Sequence, residues 1–233
     1  MHASHTQCNN CVMRNLTKGT PRRLAALLTL CTALILSVTL SACGASNTGS
    51  QTPETPREKT PGEVAVLYLK GMAGDISGLK AHNPDSSVTA DAIFGGVNKA
   101  TLESLGVTAT SEQEEQLSEA MHKGLSKVEI ELVDEKVTGS TAKVTLAVKG
   151  IDLASSFKTR YAAIDKTKIT DDASKAEATV AALADAWSNA PLLTEPTTVD
   201  MVLNYPPGVK SGGMWTPDAS SAKGLSSAIV KVA

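Results

Sequence analysis

After residue 60, apolar residues follow two different periods along the chain, and together they predict a mixed α+β domain. Helical spacing, with apolar residues three or four positions apart, recurs in several segments, each preceded by a capping residue. Thr60 and Glu63 form the two ends of a capping box, and Pro61 occupies the first helical position. The other predicted helix starts are Thr89, Ser111 (with Glu114 as its box partner), Asp152, Asp171 or Asp172, and Asp218 or Ser220.

Between the third and fourth helices the period changes to two, which predicts a β-hairpin with one apolar and one solvated face. The apolar positions are Val128, Ile130, Leu132, Ala142, Val144, Leu146 and Val148. All are even-numbered, so a two-residue loop of Gly139 and Ser140 would place the two apolar faces out of phase. We therefore expect a loop with an odd number of residues, or a bulge; with the odd loop, Glu131 would face Lys149.

A further strand is predicted over residues 197–205, where alternate residues are apolar, and a short last strand around Met214 and Trp215. The order of elements is therefore three helices, a hairpin, two helices, one or two strands and a final helix. Strands that come as a hairpin and a later return favour an α+β fold. We expect a small curved antiparallel sheet of three to four strands packed against several helices.

The longest apolar run, residues 24–40, lies upstream of this domain and follows the basic residues Arg22 and Arg23. A positive segment followed by an apolar one is typical of a secretory signal peptide. The run ends in Leu40-Ser41-Ala42-Cys43, which resembles the lipobox of bacterial lipoproteins. That resemblance implies cleavage between Ala42 and Cys43 and lipidation of Cys43. The alternative is an uncleaved anchor helix, and both the export route (Sec or Tat) and the true start (Met1 or Met13) stay open.

The lipobox divides the chain into a signal peptide (residues 1–42), a polar tether (43–60) that is too poor in apolar residues to fold, and a single domain (61–233). Cleavage would remove four basic residues, so the mature chain is more acidic than the net charge of -2 of the whole sequence. This balance, with 3% aromatic residues, argues against binding of nucleic acid. Cleavage would also remove Cys8, Cys11 and Cys31, which excludes an internal disulfide in the mature chain.

Four short motifs in the domain resemble Gram-positive lipoproteins whose extracytoplasmic domain has no assigned function. They are Tyr68-Leu69-Lys70 followed by Gly74-Asp75, residues 139–146 (Gly-Ser-Thr-Ala-Lys-Val-Thr-Leu), Ile151-Asp152-Leu153, and residues 213–218 (Gly-Met-Trp-Thr-Pro-Asp). Ser140 stands where that family usually has Asp, and Pro217 interrupts the closing strand. The same motifs occur in cystatin-like and NTF2-like folds, so the resemblance implies a fold of that kind.

Few side chains in the sequence suggest catalysis or metal binding. Glu119 and His122 have the helical spacing of a metal-binding pair, but the second pair that a di-metal site requires is missing. His82 and Asp85 are explained by an Asn-Pro turn, and Ser226 lacks the strand-to-helix elbow of a serine hydrolase. The sequence thus predicts no catalytic residues, no metal and no cofactor.

Three aromatic residues, Trp187, Tyr205 and Trp215, are candidates for lining a ligand pocket between helices and sheet, although core filling is the simpler interpretation. The main functional hypothesis is a non-enzymatic binding or interaction protein, held on the extracytoplasmic face of the cell membrane by the lipid on Cys43. A carrier of an apolar ligand or lipid is the alternative, and an envelope hydrolase is a second one. The expected partners are the membrane, through the lipid, and an envelope protein or small ligand whose identity the sequence leaves open.

Overall fold

The computed structural model describes residues 58–208, 213–222 and 224–232. The segments predicted as signal peptide and lipobox, and nearly all of the predicted tether, lie outside these described residues. The α-helices are α1 (Pro61–Met72), α2 (Ser77–His82), α3 (Ala90–Ser104), α4 (Ser111–Leu125), α5 (Leu153–Ala162), α6 (Asp172–Asn189) and α7 (Leu225–Ile229). The strands are β1 (Glu129–Thr138), β2 (Thr141–Lys149), β3 (Ile151–Asp152), β4 (Thr197–Asn204), β5 (Thr216–Pro217) and β6 (Val230–Lys231).

The main sheet is antiparallel, open and four-stranded, in the order β1-β2-β4-β5. One face of its central strands is apolar, with Ala142, Val144 and Leu146 of β2 opposite Leu203, Met201 and Val199 of β4; all of these but the half-buried Val199 are fully buried. The intervening residues of β2, such as Lys143, are exposed or half-buried, so the core lies on one side of the sheet. The α+β class predicted from the periodicity is confirmed.

The hairpin of β1 and β2 resolves the parity conflict by a bulge. Thr138 pairs with Thr141, so the loop is the two-residue Gly139-Ser140 turn, with a φ of 61° at Gly139. The register shifts between Leu132 and Asp134, which restores the phase of the two apolar faces. The odd loop is therefore wrong and the bulge is right. As a consequence Glu129, rather than Glu131, faces Lys149, with 3.6 Å between Oε2 and Nζ.

Most helix starts lie where the capping residues predict them. Thr60 and Glu63 form the expected capping box, while Thr89, Asp152 and Asp171 cap α3, α5 and α6. The start of α4 differs by one residue, because the capping box consists of Thr110 and Gln113 rather than Ser111 and Glu114. Both pairs have the same spacing, so the sequence allows either box.

Two regions differ from the prediction. No helix is predicted between the first helix and Thr89, but the structure has the short helix α2 there, which ends at His82 and buries only Leu79. Near the C-terminus, Asp218 precedes a 3-10 turn (Ala219–Ala222) instead of a long helix, and α7 ends at Ile229 because Val230 pairs with Ile151 in the small parallel β3–β6 sheet. The short last strand is Thr216–Pro217, two residues after the predicted position.

Candidate functional site

The structure places Trp187 in the core. Its side chain on α6 is fully buried, and its Nε1–H donates a hydrogen bond of 2.6 Å to Oδ1 of Asn98 on α3. The ring meets Phe94 edge to face, with 6.3 Å between the centroids. The ring of Trp187 is therefore packed in the core and its one polar atom is hydrogen-bonded, which is typical of a residue that stabilises the fold.

Tyr205 and Trp215 lie against each other at the end of β4, with 5.1 Å between their ring centroids. The Tyr205 hydroxyl donates to Oε1 of Glu58 at 3.2 Å and accepts from the Gly213 N–H at 2.9 Å. The structure therefore brings two of the three predicted aromatic residues together, while Trp187 contacts a different set of neighbours. Neither of the two cavities described below is lined by any of the three.

A cavity of about 250 Å³ lies between α3 and α4, which pack on each other, and a cluster of polar side chains lies at its edge. Asp91 is the centre of that cluster: its Oδ1 accepts a hydrogen bond of 2.7 Å from the Ser118 hydroxyl, and its Oδ2 lies 3.0 Å from Nε2 of His122. Burial alone would raise the pKa of Asp91, but the contacts with Ser118 and His122 outweigh it and hold the pKa below its ordinary value.

The order of this cluster does not suit nucleophilic catalysis. A serine nucleophile needs the imidazole next to its hydroxyl to take the proton, with the carboxylate behind the imidazole. Here the carboxylate of Asp91 lies between Ser118 and His122, so the base that contacts the hydroxyl among the described residues is a carboxylate of lowered pKa. His122 also pairs with Asp91 rather than acting with Glu119, and no group of residues that could hold a metal is found in the described part of the chain.

The other histidine of the domain, His82 at the end of α2, has a pKa below its ordinary value. Its Nε2 atom is buried and has no hydrogen-bond partner among the described residues. Burial lowers the pKa of His82, the charge of Lys59 acts in the same direction, and a hydrogen bond with the Trp215 backbone opposes them.

A lowered histidine pKa makes the stability of the fold depend on pH in a defined direction. The unfolded chain takes up a proton near pH 6.5, before the folded chain does, so the free energy of unfolding is highest above that pH and falls as the pH decreases through the lower folded pKa. Urea unfolding between about pH 7.5 and 5 should show this fall. It should be smaller in His82→Gln and retained in His122→Gln; an equal fall in both variants would contradict the assignment to His82.

The largest exposed apolar side chains of the described residues lie on β1, the outer strand of the sheet. Leu132 is 45% exposed, Val133 60% and Val137 50%. Leu132 lies on the apolar face that the alternation predicts, but it is not part of the buried core. Leu132 faces the same side as the buried Leu146, and at this edge of the sheet the first turn of α1 lies against it.

The N-terminus of α1 is fixed to β1 at one point. The Gly62 N–H donates a hydrogen bond of 2.9 Å to Oε2 of Glu135, so a carboxylate lies at the positive end of the helix. A Cβ atom at position 62 would lie 2.5 Å from that oxygen and 2.6 Å from the Leu132 side chain, which explains the glycine. Beside this contact lies a shallow cavity of about 310 Å³, open to solvent and lined by Lys59, Gly62, Glu63, Val66, Leu67 and Leu132.

We name the combination of this cavity and the three exposed side chains Leu132, Val133 and Val137 the β1 edge surface. The sequence does not predict this surface, because the alternation of apolar and polar residues in β1 is typical of a strand with one buried face. Two features of the sequence point to this part of β1. The even-numbered apolar positions of both strands require a bulge if the loop has two residues, and the alternation breaks at the adjacent apolar residues Leu132 and Val133.

Comparison with known proteins adds one structural likeness. No protein-family profile matches the chain, and no curated protein is significantly similar in sequence. A solved structure of a candidate lipoprotein (ycdA) from Bacillus subtilis has a similar fold, with a TM-score of 0.50 and 16% identity. The match covers 72% of this chain and 54% of that chain, so this chain spans about half of the protein it resembles. At this identity the likeness concerns the fold.

Among the described residues, no helix combines the length and the apolar character that crossing a membrane requires.

Proposed function

We propose that this chain is a lipid-anchored protein of the extracytoplasmic face of a bacterial cell membrane, and that its folded domain is a non-enzymatic interaction module. The observation that carries the interaction role is the β1 edge surface. The large exposed apolar side chains of the described residues are gathered on one strand, beside a cavity, and such clustering is typical of protein-binding sites.

The anchoring role is supported by the sequence of the N-terminal segment. The basic residues, the apolar run 24–40, the lipobox Leu40-Ser41-Ala42-Cys43 and the polar tether follow one another in the order of a lipoprotein precursor. The fold likeness is compatible with this proposal, because the neighbour from Bacillus subtilis is itself described as a candidate lipoprotein.

The two alternatives find less support in the site geometry. A hydrolase would need an activated nucleophile, and the Ser118 hydroxyl contacts a carboxylate rather than an imidazole. A carrier of an apolar ligand would need an enclosed apolar cavity. The cavity beside α1 is instead lined by the charged residues Lys59 and Glu63 as well as by apolar ones.

Native mass spectrometry of the full chain, extracted from its own cell envelope in a mild detergent, tests the interaction role against both alternatives. We expect the mass of the lipidated polypeptide without a stoichiometric small molecule. A bound small molecule that survives extraction would instead support the carrier. Turnover of ester, amide or glycoside substrates that is lost in Asp91→Asn and Ser118→Ala would support the hydrolase.

A further inference from the structure

We propose that the β1 edge surface binds an extended, basic protein segment, which pairs with β1 as an additional strand of the sheet. This inference rests on the interaction role proposed above and names the chemistry of the partner. It follows from three properties of β1: its free backbone edge, its exposed apolar side chains and its charge.

The backbone of β1 is available for pairing. The strand has 10 residues and lies at one end of the sheet, where β2 is its neighbour among the described strands. An edge strand presents alternate N–H and C=O groups to solvent, and an extended peptide can satisfy them by adding a strand. The opposite edge is less suitable, because β5 has only two residues and one of them is Pro217.

The apolar side chains supply contacts beyond backbone hydrogen bonds. Leu132 lines the cavity beside α1, and Val133 lies next to it at the bulge, with 60% of its surface exposed. A strand paired with β1 presents every second side chain to the side of the sheet on which the cavity lies. One apolar side chain of the partner would therefore enter this cavity and contact Leu132 and Val66, which line it.

The charge of β1 selects a basic partner. The strand carries Glu129, Glu131, Asp134 and Glu135 against a single Lys136. Glu129 forms an ion pair with Lys149, and the Glu135 carboxylate accepts a hydrogen bond from the Gly62 N–H. This leaves Glu131 and Asp134 exposed and without an ion pair or hydrogen bond among the described residues.

A second copy of the chain fits this edge poorly. Antiparallel pairing of two β1 strands would bring two acidic strands side by side, and like charges opposite each other destabilise a sheet. Charged residues and a bulge are also the devices that protect edge strands from indiscriminate pairing. Acidic residues leave such an edge open to a segment of the opposite charge.

The test uses the full lipidated chain in nanodiscs and a short labelled peptide of alternating lysine and valine. Three control peptides separate the contributions: one with glutamate in place of lysine, one with the same residues in scrambled order, and one with alternate backbone N–H groups methylated. Binding is followed by fluorescence anisotropy, and hydrogen exchange locates the protected amides.

We expect the lysine–valine peptide to bind and to protect β1 amides, and the methylated and acidic peptides to bind at least about tenfold more weakly. The variant Glu131→Lys combined with Asp134→Lys should weaken binding of the basic peptide by about tenfold and improve binding of the acidic one. Glu177→Lys, an exposed charge change on α6, is the matched control and should leave binding unchanged.

Several results would overturn the inference. Equal binding of the methylated peptide would mean attraction by charge without strand pairing, and protection of amides outside β1 would place the site elsewhere. A dimer that dissociates in the Glu131→Lys, Asp134→Lys variant would show that a second copy occupies the edge. If no peptide binds and native mass spectrometry finds no small ligand, this inference fails while the interaction role stands; a stoichiometric small ligand would remove the interaction role itself.

Discussion

Replacing Trp187 with alanine is expected to lower the free energy of unfolding by about 3–5 kcal/mol, which is the range for removing a fully buried large aromatic side chain. The indole is 0% exposed and packs edge to face on Phe94. Its removal also leaves Oδ1 of Asn98 without its donor, at a residue that is only 8% exposed. Urea unfolding followed by far-UV circular dichroism would measure the loss.

The variant Trp187→Phe separates the hydrogen bond from the packing. It keeps a ring against Phe94 but has no N–H for Asn98, so we expect a smaller loss than in Trp187→Ala. In a double-mutant cycle with Asn98→Leu, the two substitutions should be non-additive, because they share one hydrogen bond. A loss below about 1 kcal/mol in Trp187→Ala would contradict the core position and return the residue to the list of pocket candidates.

The helices were the part of the fold that sequence predicts best, because their starts depend on residues close together in the chain. Thr60, Thr89, Asp152 and Asp171 each cap a helix through a backbone N–H three residues later. The α-helix that the sequence does not predict, α2, has 6 residues and buries a single side chain, Leu79. Such a segment has too few residues for a period to be recognised.

The environment of β1 could not be predicted, because it depends on which strand becomes the edge of the sheet. Ile130 and Leu132 occupy every second position just as Val144 and Leu146 do, yet β2 lies between two strands and β1 has one neighbour among the described strands. Periodicity reports which face a side chain takes. It does not indicate whether another element packs on that face, because this depends on the position of α1 in the tertiary structure.

The candidate site was harder to predict for the same reason. Each of the three aromatic candidates, Trp187, Tyr205 and Trp215, has an aromatic ring system with one polar atom. The sequence does not indicate which of these side chains contact each other. The contact between Trp187 and Asn98 joins residues 89 positions apart. Asp91 and Ser118 likewise come together through the packing of α3 on α4, so neither residue stands out in a search for motifs.

The Cys43→Ser variant is expected to lose lipid attachment completely, since the proposed lipobox would make this thiol the acceptor of the lipid. Wild-type chain should label with radioactive palmitate in growing cells and partition into the detergent phase, whereas the variant should do neither. Two acyl chains give stable membrane attachment, because each buried methylene contributes about 0.8 kcal/mol and a single chain binds only marginally. The variant should accumulate as unprocessed precursor or be released after cleavage elsewhere.

Two controls make this result specific to the lipobox. Cys31→Ser changes a cysteine within the apolar run of the same segment and should label like wild type. The folded domain should melt at the same temperature in wild-type and Cys43→Ser chains, because a polar tether separates Cys43 from Thr60, the N-cap of α1. Palmitate labelling that persists in Cys43→Ser and disappears in Cys31→Ser would refute the lipobox, and with it the proposed extracytoplasmic location at which the β1 edge surface meets its partner.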